Sequence, residues 1–122
     1  MKHIFLVDDS ATMLMSLEGI LKKSGFEVSK ASGGQQALAQ LGQKKPDLLI
    51  TDLNMPGMDG ITLIAEVRKL PGMRFMPILM LTTESQQSKR QEAKSAGATG
   101  WLVKPVKPDE LLAVIKKVVP GA

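Results

Sequence analysis

The chain has 122 residues, 43% hydrophobic and 23% charged. That is one globular domain's worth at roughly 100–200 residues per domain. With no cysteine and one histidine, His3, disulfides, thiolate metal sites and a cysteine nucleophile are excluded, and a serine–histidine triad or multi-histidine metal site is disfavoured. The net charge of +4 lies wholly in the last third: residues 1–85 carry nine basic and nine acidic side chains, residues 86–122 seven and three.

The elements follow in chain order. Ile4-Phe5-Leu6-Val7 is a continuous apolar run, as expected of a strand buried on both faces. Ser10 can cap a helix with Leu14, Leu17, Ile20 and Leu21 at helical spacing, ended by Gly25. Phe26 to Lys30 alternates, which predicts a half-exposed edge strand. A short helix carries Ala37, Leu38 and Leu41 and closes at Gly42. Leu48 to Thr51 is the third strand, followed by a Gly/Pro loop from Met55 to Gly60. Asp59 caps a helix with Ile61, Leu63, Ile64, Val67 and Leu70. Pro77 opens the strand Ile78 to Leu81. Gln86 to Ala96 reads as a nearly all-polar helix with only alanines to bury, expected to be the least anchored element. Gly100 to Val103 is the fifth strand. Pro108, Asp109 and Glu110 open a last helix whose core face is Leu111, Leu112, Ile115, Val118 and Val119.

Strands alternating with helices predict an α/β fold, five βα units around a doubly wound parallel sheet. Residues 1–122 read as a single domain, with no linker before Pro120-Gly121-Ala122. The N-terminus turns acidic at Asp8, too early for a signal peptide's apolar core. No apolar run approaches the roughly 20 residues that span a bilayer. A cytoplasmic monomer is the expectation.

Ligands of open parallel sheets bind beyond the carboxyl ends of the strands. Asp8 and Asp9 follow the first strand, Asp52 the third, Thr82 and Thr83 the fourth, and Lys104 the fifth. One such aspartate is usually a helix cap. Three carboxylates, a hydroxyl and a lysine on one edge ask for a joint explanation. Clustered carboxylates repel, and a hard divalent cation with oxygen ligands relieves that. With a hydroxyl and a lysine beside it, such a site makes a cup for a phosphoryl group, whose transfer depends mostly on positioning and charge neutralisation. A carboxylate can itself be the nucleophile. Asp52, ending a buried strand, is the best candidate, and the Asp8–Asp9 pair suits metal.

Val7-Asp8-Asp9-Ser10, Thr51-Asp52-Leu53-Asn54-Met55-Pro56 with Asp59-Gly60, Met80-Leu81-Thr82 and Lys104-Pro105 occur in order, each after the right strand. Together they resemble the receiver domain of two-component response regulators, most of all the stand-alone chemotaxis regulators. The resemblance implies the flavodoxin-like (CheY-like) sheet order 2-1-3-4-5. It implies that Asp52 accepts a phosphoryl group from a histidine kinase. Mg2+ (Mn2+ could substitute) would be bound by Asp9, Asp52 and the backbone carbonyl of Asn54, and by Asp8 through water. Thr82 would donate a hydrogen bond to the phosphoryl oxygens and Lys104 would pair with them, its bond to Pro105 being cis. Trp101 would be the switch aromatic, turning inward as Thr82 moves. Asn54 and Glu84 would tune self-dephosphorylation, in a pairing that implies a short-lived phosphoryl state.

The resemblance also implies an output face of fourth helix, fifth strand and fifth helix, where the excess charge lies. An acidic segment of a protein target, such as a flagellar switch protein, is expected to dock through Lys89, Arg90, Lys94, Lys116 or Lys117. The plain alternative is a solvated lysine-rich surface. Dispersed charge and 3% aromatic residues argue against nucleic acid. Three rival readings are weaker. A small Mg2+-dependent phosphohydrolase with Asp52 as nucleophile would carry a second carboxylate where Asn54 stands. A flavin mononucleotide binder would want a neutral anion nest where Asp8-Asp9-Ser10 stands. The third rival is a receiver cut from a longer transcriptional regulator.

Overall fold

The computed structural model describes residues 1–122, the Glu84 side chain excepted. Strands β1 (His3–Val7), β2 (Glu27–Ala31), β3 (Leu48–Asp52), β4 (Ile78–Thr82) and β5 (Gly100–Val103) alternate with helices α1 (Ala11–Lys23), α2 (Gly34–Leu41), α3 (Gly60–Arg68), α4 (Arg90–Ala96) and α5 (Pro108–Val118). All neighbouring strands pair parallel, in the order β2-β1-β3-β4-β5. The chain therefore reverses its winding direction between β1 and β3.

The apolar runs of β1, β3 and β4 have the physical cause assigned to them. Alternate side chains enter different layers. Phe5, Val7, Leu49, Ile78 and Met80 pack in one apolar cluster, joined by Ala37, Leu41, Leu63, Ile64, Val67 and Ala93 from α2, α3 and α4. Ile4, Leu6, Leu48, Ile50, Leu79 and Leu81 pack in the other, with Leu14, Leu17 and Leu21 of α1 and Leu111 and Ile115 of α5. Each large aliphatic side chain fully buried this way contributes roughly 1.5–3 kcal/mol of transfer free energy. The edge strand β2 is exposed or half-buried until Ala31, as its alternation predicted.

The caps hold as well. Ser10 Oγ accepts from the Met13 N–H at 3.2 Å, and Asp59 Oδ1 from the Thr62 N–H at 2.8 Å. The polar helix expected over Gln86–Ala96 differs. Its first part belongs to a 3-10 helix, Glu84–Lys89, and α4 proper spans only Arg90–Ala96. Gln86 Oε1 accepts from the Thr83 N–H at 2.9 Å, fixing the start two residues earlier. No helix among the described residues is long and apolar enough to cross a membrane.

Candidate functional site

The carboxyl ends of the strands carry Asp8, Asp9, Asp52, Thr82, Thr83 and Lys104. β3 delivers Asp52 to this edge beside the end of β1, at the point where the winding reverses. Gly60 fixes the return of the chain. Its N–H donates to the Leu53 carbonyl at 2.8 Å, and a Cβ there would collide with the Asp52 carbonyl oxygen. Any larger residue at position 60 would push α3 off the end of β3.

Asp8 and Asp52 are buried, whereas Asp9 is exposed. One carboxylate oxygen from each of the three lies within 4.8 Å of the other two. Lys104 Nζ reaches in from the end of β5, 2.8 Å from Asp52 Oδ1 and 3.7 Å from Asp8 Oδ2. The Leu53 backbone N–H donates to the same Asp52 oxygen at 2.9 Å. Both contacts therefore hold Oδ1. The Lys104–Pro105 peptide is cis.

Burial pushes the Asp8 carboxyl above its ordinary range, and the charges of Asp52 and Asp9 add to this. The Ser10 N–H, 2.9 Å from Asp8 Oδ1, and the Lys104 ammonium oppose it. Asp8 Oδ2 is buried and makes no hydrogen bond. A carboxylate oxygen stripped of water and left without a donor is costly, about 1–3 kcal/mol or more. A hard cation among three carboxylates meets that need, so the donor set fits a small oxygen-loving ion such as magnesium.

Thr82 is fully buried at the tip of β4. Its hydroxyl reaches the Leu102 carbonyl at only 3.5 Å, beyond ordinary hydrogen-bond length. Its own carbonyl accepts firmly from the Lys104 N–H at 2.6 Å. The threonine side chain is thus loosely held, while the backbone joins the tips of β4 and β5. Asn54 is exposed, two residues past Asp52. Thr83 follows Thr82, half-buried. The Glu84 side chain lies outside the described residues.

Residues 4–116 match the family described as response regulator receiver domain. The chain belongs to that family. This receiver is 35% identical to the protein PilH of Pseudomonas aeruginosa over 121 residues, 99% of this chain and 100% of that one. The Vibrio cholerae chemotaxis protein CheY4 superposes with a TM-score of 0.93 at 42% identity, covering 98% of this chain and 99% of that chain. The receiver domain of the Pseudomonas aeruginosa sensor histidine kinase PA1611 superposes at 0.88 with 28% identity over 96% of both chains; its structure holds a magnesium ion coordinated in the active site cleft. As a receiver of two-component signalling, the chain is a signalling domain of the kind that works between histidine kinases and downstream targets.

The basic residues assigned to an output face are spread along the length of α4 and α5. The helices run back against the strands, so Lys89 and Arg90 sit at the aspartate end of the β5 edge. Lys116 and Lys117, in the last turn of α5, sit at the far end. Lys94 lies on α4 between them. Lys89 is already paired with Glu92 at 3.6 Å.

Two contacts escaped the sequence reading. The Arg68 guanidinium, at the end of α3, donates to the carbonyls of Gly97, Met73 and Met76 at 2.6–3.1 Å. It thereby ties the C-terminus of α4 to the loop before β4. Gly97 there is left-handed, φ +118°, and a Cβ would strike Arg68. The other is the Arg90 guanidinium, which stands 4.9 Å over the Trp101 ring. Neither is periodic, and no motif announces either.

Proposed function

We propose that Asp52 accepts a phosphoryl group from a histidine kinase's phosphohistidine and that residues 1–122 work as one receiver domain. What carries this reading is the clustering of Asp8, Asp9 and Asp52 with Lys104 Nζ 2.8 Å from Asp52. Lys104 and the Leu53 N–H hold Oδ1 and leave Oδ2 as the nucleophile. Oδ2 forms the new P–O bond while the P–N bond to the donor imidazole breaks and the ring takes up a proton. Asp9, Asp52 and the Asn54 carbonyl would hold magnesium, with Asp8 acting through water, and the ion would neutralise phosphoryl charge. Lys104 then pairs with a phosphoryl oxygen, and the loosely held Thr82 hydroxyl turns to another. Water later attacks phosphorus, releases phosphate and restores the carboxylate, with Asn54 and Glu84 setting its access.

The output is a change in the α4–β5–α5 edge, with Trp101 following Thr82, and an acidic segment of a target docks there. The phosphorylation-end residues Lys89 and Arg90 are the first contacts, with Lys94 further along α4. The likeness to the chemotaxis protein CheY4 supports a chemotaxis role; a flagellar switch protein as target and a cytoplasmic monomer complete the proposal.

Incubation with a phosphoramidate and magnesium tests the reading. The expected result is one phosphoryl group per chain, none in Asp52→Asn, and loss of the group without kinase or phosphatase. Steady turnover of a phosphoester would favour a hydrolase instead, and a phosphoryl state lasting hours would contradict rapid self-hydrolysis.

A further inference from the structure

We propose that Arg90 is a latch on Trp101: stacked on the indole, its guanidinium holds the β5 aromatic outside the core and opposes the switched state. The inference deepens the receiver reading and rests on it.

Arg90 is the first residue of α4, at the joint with the 3-10 helix. Its guanidinium carbon lies 4.9 Å from the Trp101 ring centroid, inside the roughly 6 Å range of a cation–π contact. Its Nε is buried and makes no hydrogen bond. Among the described residues no carboxylate pairs with it. Giving up water at a charged donor without an acceptor is unfavourable, and the negative face of the indole is what compensates it here. The other arginines differ. Arg68 has backbone carbonyls for its donors. Arg74 stacks on Phe75, which is 85% exposed, so that pair stays in water.

Trp101 is half-buried and joins neither apolar cluster among the described residues, whereas its neighbour Leu102 does. Beside it, the Leu102 carbonyl receives the long Thr82 hydroxyl contact, and the Lys104 N–H is bound to Thr82. Movement of Thr82 toward a phosphoryl group therefore acts on β5 next to the indole. For the indole to leave the surface, the stack must break. Arg90 then has free donors for a carboxylate of a docking partner. One guanidinium thus serves two competing contacts, the indole at rest and the acidic target after switching. Its role is that of a positioning residue for Trp101.

Trp101 is the sole tryptophan, so its fluorescence reports this position alone. Beryllium fluoride with magnesium, a phosphoryl mimic, is titrated into the wild-type protein, Arg90→Gln, Arg90→Lys and Asp52→Asn. The latch predicts that Arg90→Gln lowers the half-maximal concentration five- to tenfold, equivalent to about 1–1.4 kcal/mol. Arg90→Lys keeps a cation without the planar fork and should fall between. The midpoint decides, because losing the guanidinium alters indole emission by itself. Unchanged midpoints in both variants, with a normal wild-type response, overturn the latch and leave the receiver reading intact. A wild-type protein without response, or one matched by Asp52→Asn, overturns the receiver reading and the latch with it.

Discussion

Helices α4 and α5 flank the same edge strand, yet different forces hold them. α5 has eleven residues and buries Leu111 and Ile115 completely in the cluster shared with α1. Its acidic first turn and basic last turn suit the helix dipole. α4 has seven residues and buries only Ala93. A helix so short is marginal by itself. Its fixed points are polar: the left-handed Gly97 cap, the Arg68 clamp and the Arg90 stack. Apolar area makes an anchor that little short of unfolding can move. A few directional contacts make one that a ligand worth a few kcal/mol can shift. A signalling edge that must hold its place and also move gains from having one helix of each kind.

The largest expected effect breaks or supports that contrast directly. Ile115→Ala should cost about 2–5 kcal/mol of global stability, by lost transfer and a residual cavity. Ala93→Gly should cost about 1 kcal/mol, most of it helix propensity. Urea unfolding of the two variants measures both. Similar losses would mean that α4 is packed as firmly as α5, and the contrast would fall.

A smaller effect sharpens it. Arg68→Met removes the donors to Gly97, Met73 and Met76 while keeping an apolar stem. The loss should be about 1–3 kcal/mol, since the freed carbonyls regain water only in part. Amide exchange should speed up in α4 and in the loop before β4, and stay unchanged in α5. Uniform acceleration across the molecule would show that the clamp serves the whole fold.

What the sequence disclosed follows the same division. Strands buried on both faces write themselves as unbroken apolar runs, so the sheet and both core layers were legible from Ile4–Val7, Leu48–Thr51 and Ile78–Leu81. The clustering of the candidate site was legible because each of its residues ends a strand or directly follows one: Asp52 and Thr82 end theirs, Asp8 and Lys104 follow theirs. The early helix start at Glu84 was missed, although Thr83 and Gln86 have capping-box spacing that signals it. Arg68 and Arg90 were opaque for a deeper reason. Arg68 meets a carbonyl 29 positions away through a loop whose path no local pattern encodes. Arg90 meets Trp101 through the angle between a helix and a strand. Contacts that make α4 movable are long-range and polar, and such contacts leave no periodic trace.

The smallest effect concerns β1, separated from β5 by β3 and β4, and asks whether the contrast survives a change of pH. Its two ends respond in opposite directions. His3 is buried, with Nε2 2.7 Å from Ser29 Oγ and Nδ1 without a hydrogen bond. Burial holds its pKa below 6.5, helped by Lys44 and opposed by Glu27 and Asp47. As pH falls through 6.5 the unfolded chain takes up a proton that the folded one refuses, so stability is lost until the folded pKa is reached. Asp8 is raised above 3.8, so its folded form keeps a proton longer, and stability is lost as pH rises through that range. The histidine slope should be at most about 1.36 kcal/mol per pH unit. His3→Gln should flatten the decline between about pH 7 and 5, the window in which only histidine ordinarily titrates. Amide exchange in α4 should keep its ratio to that in α5 across this window, because the hydrogen bonds of His3 run to Asp47 and Ser29. A ratio that changes with pH in the wild type but not in His3→Gln would connect the start of β1 to the mobile edge and would require an anchor for α4 beyond the three named above.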